Sequence, residues 1–128
     1  MDGIGTTSET ERVKIAMFLD MYGNILTDKQ REAMDKYFQQ DFTLSEISEQ
    51  IGITRQGVWD NIKRGENVLV ETENKLGMVK KFEEIRKNLS SIYSDAVFVK
   101  LYAQQKFLPA DIIKRMDKIL TTISDIVE

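Results

Sequence analysis

Neither cysteine nor histidine occurs anywhere in the chain. Without cysteine there can be no disulfide and no thiolate zinc site, and without histidine the commonest general base and metal ligand is missing. Catalysis would have to rest on carboxylates and lysines, and the sequence offers no catalytic, cofactor-binding or metal-ligating constellation. No apolar run approaches the roughly 20 residues of a membrane span, and Met1 to Thr10 lacks the basic start and apolar stretch of a signal peptide. The expectation is a cytoplasmic, non-enzymatic protein with no membrane span. At 128 residues the chain suffices for one modest core and an appendage.

Charge is scarce in net terms, at −3, but unevenly spread. Residues 1–53 carry ten acidic and five basic side chains, net −5, whereas residues 54–64 carry Arg55, Lys63 and Arg64 against Asp60, net +2. Residues 78–108 add six basic side chains against three acidic, net +3. Nucleic-acid affinity rests largely on neutralised phosphates, so a patch this small on an acidic body predicts weak, salt-sensitive binding by a monomer. A homodimer or a protein partner would strengthen it.

What the chain does have is a strong local pattern from Phe42 to Arg64, FTLSEISEQIGITRQGVWDNIKR. Thr43 and Glu46 form a capping box that starts a helix at Leu44. Leu44, Ile47 and Ile51 fall on one face of it, and Gly52 stands where a left-handed residue ends a helix without a Cβ penalty. Ile53 lies in the turn, Thr54 caps a second helix, and Val58 and Ile62 give that helix an inward stripe. Two short helices joined this tightly are expected to form a helix-turn-helix at 44–64. Thr54, Arg55, Gln56, Trp59, Lys63 and Arg64 lie at the start of the second helix or away from its stripe, where recognition helices meet base edges and phosphates. Trp59, beside Arg55 and Lys63, would either stack on an unpaired base, which suits RNA, or pack inward as core. Glu66, Glu71 and Glu73 spread around the helix axis and read as a solvated face rather than a metal site.

The remaining elements follow in chain order. Residues 1–8 read as a disordered tail, with Ser8 and Glu11 forming a capping box at its edge. The next helix is apolar around so much of its circumference that it should be covered on most sides. Thr27 and Gln30 cap a helix of about eleven residues whose Ala33, Met34, Tyr37 and Phe38 face the core. The reading helix should continue past Arg64 to Gly77, with Val68, Leu69 and Leu76 on its apolar side and Gly65 as a weak point or hinge, roughly 1 kcal/mol less favourable than Ala. From Met78 a heptad-like seam runs through Val79, Phe82, Ile85 or Arg86, Leu89, Ile92, Ala96, Val99 and Ala103, and Pro109 opens a last helix with Ile112, Met116, Ile119, Ile123 and Ile126. These two helices would fold back within the chain or be completed by a second subunit. The predicted fold class is all-α, with a four-helix domain over 9–77 and a two-helix extension over 78–128.

Three blocks, LTDKQREAM at Leu26 to Met34, LSEISEQIGITRQGVWDNIKRGE at Leu44 to Glu66 and ENKLGMVKKF at Glu73 to Phe82, resemble the YlxM family of helix-turn-helix proteins. The resemblance runs from Glu11 to Phe82 and is less distinct over the last 40 or so residues. Bacteria encode that family beside the GTPase of the signal recognition particle, and it is similar to region 4 of bacterial sigma factors, which reads promoter DNA. The resemblance implies DNA or the particle's RNA as ligand, a regulatory role in that pathway, and, as an alternative, a protein-interaction module acting on the GTPase. The family usually has Ala where this chain has Ser48 and Gly57, and a larger residue at Gly65.

Overall fold

A computed structural model describes residues 8–127, so the predicted tail over 1–7 lies outside the described residues. Six α-helices and no strand occur among them. Helix α1 (Glu9–Tyr22) starts where Ser8 Oγ accepts from the Glu11 N–H at 3.2 Å. Its buried side is the single stripe Ile15, Phe18, Leu19 and Tyr22, while Val13 and Met21 are exposed. The helix is therefore covered on one side, not most. Gly23 follows in the right-handed region, at φ −54, and leads into a 3-10 turn over Gly23–Ile25.

Helix α2 (Asp28–Met34) has both bonds of the Thr27/Gln30 capping box and runs directly into a π-helical turn, Asp35–Gln39. Ala33, Met34, Tyr37 and Phe38 are all buried, as their spacing predicts. Asp41 closes this segment at φ 57, a conformation Asp tolerates better than most residues, and the Phe42 N–H donates back to the Lys36 carbonyl at 3.0 Å.

Helices α3 (Leu44–Ile51) and α4 (Arg55–Leu76) complete the first core. Leu19, Met34, Ile47, Val58, Ile62 and Leu69 are its largest fully buried side chains, each worth about 1.5–3 kcal/mol of apolar burial. Gly65 is part of that packing. It is buried, and a Cβ built on it would overlap Met34 Sδ and come within 3.3 Å of Met34 Cγ. The absence of a side chain lets α2 and α4 approach, so Gly65 is a close-contact point inside a continuous helix and not a hinge.

Gly77 ends α4 at φ 63. Beyond it the Tyr22 hydroxyl donates to Glu73 Oε1 at 2.6 Å and accepts from the Met78 N–H at 3.2 Å, and the Val79 N–H donates to the same carboxylate oxygen at 3.0 Å. Two backbone donors that a helix start leaves without partners are satisfied this way. Burial raises the Tyr22 pKa above its ordinary 10.0, and the hydrogen bond to Glu73 adds to the shift. Val79 is buried with the first core, and the first compact unit extends to it, two residues past Gly77. Leu76, expected on the apolar side of α4, is exposed.

The second unit starts at Lys80 and holds most of α5 (Met78–Gln105) together with α6 (Ala110–Val127). Helix α5 ends in a Schellman motif: the Leu108 N–H donates to the Ala103 carbonyl at 2.9 Å and the Phe107 N–H to the Gln104 carbonyl at 3.4 Å. The left-handed position of that motif is Phe107, at φ 53, where glycine is usual. Pro109 stands just ahead of α6, and its carbonyl accepts from the Ile112 N–H at 3.0 Å. Lys100 Nζ pairs with Asp117 across the hairpin at 2.7 Å. On the heptad seams Ala96, Ala103 and Ile123 are already covered within one chain, whereas Phe82, Ile85, Ile92, Val99, Ile119 and Ile126 remain exposed.

Candidate nucleic-acid interface

Thr43 Oγ1 accepts from the Glu46 N–H at 3.1 Å, and the Glu46 carboxylate accepts from the Thr43 N–H at 2.9 Å, fixing the start of α3. Those hydrogen bonds hold the Glu46 carboxyl below its ordinary 4.5. Gly52 ends α3 in the left-handed region at φ 73. Ser48 Oγ then donates to the Ile53 carbonyl across the turn at 2.5 Å. Thr54 Oγ1 accepts from the Gly57 N–H at 3.0 Å and starts α4. Ile47, Val58 and Ile62 are buried where the two helices pack, and the polar side of α4 faces outward.

The six residues singled out from the sequence do not play one role. Arg55 and Arg64 are exposed cations. The Thr54 hydroxyl is engaged in the cap. Gln56 donates to Asp60 Oδ1 at 3.0 Å, one helical turn on. Lys63 Nζ lies 2.8 Å from Glu66 Oε2 and 5.1 Å from the centre of the Trp59 ring. Trp59 itself is only partly exposed, packs against the core and meets Tyr37 edge-on at 6.4 Å between ring centres. The structure thus brings Trp59, Lys63 and Glu66 into one cluster, and Gln56 and Asp60 into another.

Sequence reasoning counted Asp60 in the net charge but missed its pairing with Gln56 and that of Glu66 with Lys63. Asp60 and Glu66 each sit against a residue of the proposed reading face, so the positive field there is weaker than the sum of Arg55, Lys63 and Arg64. Glu66 is almost fully buried, Glu73 anchors the start of α5, and Glu71 is exposed, so a common solvated face does not describe them. Asn67, eleven residues after Gln56 and exposed, falls on the same side as Gln56, Asp60 and Lys63. The signal for Asp60 and Asn67 was helical spacing from Gln56, and for Glu66 it was its place three residues after Lys63.

A turn of this length between a left-handed Gly and a Thr cap, joining helices that bury Ile47, Val58 and Ile62, is what a helix-turn-helix requires, and comparison with known proteins agrees. The family model for UPF0122, the YlxM / p13 like helix-turn-helix proteins, matches residues 9–109. The chain belongs to this family. A UPF0122 protein of Acetivibrio thermocellus is 40% identical over 113 residues, covering 88% of this chain and 93% of the relative. One from Caldanaerobacter subterraneus is 45% identical over 84 residues, 66% of this chain and 72% of its own. One from Clostridium kluyveri is 40% identical over 92 residues, 66% of this chain and 83% of its own. The family match reaches past Phe82 through the whole of α5 to Pro109, so the long helix belongs to the family pattern as much as the helix-turn-helix does.

Proposed function

We propose that this UPF0122 protein is a regulatory, non-enzymatic nucleic-acid-binding protein that acts as a homodimer, with α4 as its reading helix. The observation that carries the reading is the exposure of Arg55 at the start of α4 and of Gln56, Lys63 and Arg64 along a helix whose Val58 and Ile62 are fully buried. Duplex rather than unpaired nucleic acid is the better ligand, because Trp59 spends much of its ring on Tyr37 and the core and offers little area for base stacking. The resemblance to YlxM proteins supports a place in the signal recognition particle pathway, through DNA or through double-helical segments of the particle's RNA.

Arg55, Lys63 and Arg64 from two subunits give about six phosphate contacts, so affinity should fall by around 10³ between 50 and 200 mM salt. Titration of the full chain against DNA duplexes and a structured RNA at several salt concentrations tests this. Failure to bind either at low salt would overturn the reading. One observation favours a second reading, a protein-interaction module acting on the particle's GTPase: Asp60 and Glu66 offset much of the positive charge of α4. That module would bind the GTPase with little response to salt.

A further inference from the structure

The seam that the heptad pattern marks on α5 is not the most exposed apolar surface of that helix. Phe98, Leu101 and Tyr102, at positions i, i+3 and i+4, are 71%, 52% and 50% exposed, and Phe107 in the turn that follows is 93% exposed. At 100° per residue the first three lie on the opposite side of α5 from the buried Ala96 and Ala103. Phe107 keeps a left-handed backbone that disfavours an aromatic side chain, yet its ring stands almost wholly in solvent.

We infer that Phe98, Leu101, Tyr102 and Phe107 form the contact surface of an antiparallel, two-fold α5–α5 pairing between two copies of this chain. The inference rests on the homodimer of the preceding reading and assigns its surface. Its occupant is fixed by charge. Asp95 and Lys106 are exposed and lie about equally far before and after the middle of the Phe98–Tyr102 stretch, on the same flank of the helix at 100° per residue. A two-fold axis across the patch keeps the flank and reverses the direction along the helix, so Asp95 of each copy meets Lys106 of the other. Neither makes an ion pair among the described residues. Three aromatic rings and a leucine at these exposures offer roughly 500 Å² per chain, against about 800 Å² per partner in a stable interface. Ser94, Asp95, Gln105 and Lys106, all exposed, border the patch and supply a polar rim.

Sedimentation equilibrium of the full chain at tens of micromolar should give a dimer. Phe98→Lys and Tyr102→Lys should give monomers of unchanged helicity. Phe107→Gly, which suits the positive φ better, should weaken association while leaving the fold intact. Asp95→Lys or Lys106→Asp alone should raise the dissociation constant about tenfold, since both ion pairs of a two-fold pairing are replaced by repulsions, and the double exchange should restore it. A dimer that survives Phe98→Lys but dissociates with Ile92→Lys would overturn this surface and leave the homodimer standing. A monomer for the unmodified chain would overturn both, including the case in which the patch captures a different protein.

Discussion

At Gly65 the helix-propensity argument and the packing argument point in opposite directions, and magnitude decides between them. Alanine in place of glycine stabilises a helix interior by about 1 kcal/mol, but forcing a methyl into a filled core costs about 1–3 kcal/mol. Because Met34 is fully buried and cannot retreat into solvent, Gly65→Ala should lower stability by about 1 kcal/mol net in thermal denaturation. In the Met34→Ala background the same change should become stabilising. Lys63 is a second case in which removal does more than delete one interaction. Lys63→Ala leaves the Glu66 carboxylate nearly buried and unpaired, so it should cost about 1 kcal/mol as well as weaken binding. Arg64→Ala should weaken binding alone and flatten the salt slope by about one unit for each phosphate no longer neutralised. Both glycine and lysine were visible in the sequence, but neither the contact of Met34 with Gly65 nor the burial of Glu66 could be inferred from spacing along one helix.

Among the elements, α3 and α4 depend on caps that a few substitutions can probe separately. The lowered Glu46 pKa means that the folded state holds its carboxylate ionised; the capping contribution is fully present above pH 4.5 and is lost as pH falls through the lower folded value. Glu46→Gln should therefore reduce the acid sensitivity of the melting temperature below that pH. At the other end of the range the raised Tyr22 pKa works the opposite way, giving stability that is present below pH 10 and lost as pH rises beyond it. Tyr22→Phe should blunt that alkaline loss. Helical faces were legible from sequence at this scale: Val58→Asp, an unpaired charge at a fully buried position, should unfold the first unit, while Arg55→Ala should leave circular dichroism melts within about 0.5 kcal/mol of the unmodified protein. Equal damage from both would mean that the faces of α4 are misassigned.

For the whole molecule, element boundaries and fold class follow from local chemistry written into the chain. Ser, Thr and Gly at Ser8, Thr27, Thr43, Thr54, Gly52 and Gly77 act within three or four residues of their own position, so capping and termination are readable without knowing what lies beyond. The end of α5 is the exception, because Phe107 takes a role for which glycine is the usual signal. The inward stripe of the helix-turn-helix was legible for the same local reason, since Leu44, Ile47, Val58 and Ile62 recur at helical spacing. Only the tertiary structure decided what depends on a partner distant in the chain. It joined Tyr22 to Glu73 and Met78, set Gly65 against Met34, turned Trp59 toward Tyr37, and left Phe98 and Phe107 uncovered. Periodicity names the side of a helix that is apolar; which neighbour covers it, and whether any does, is settled by packing between elements far apart in sequence.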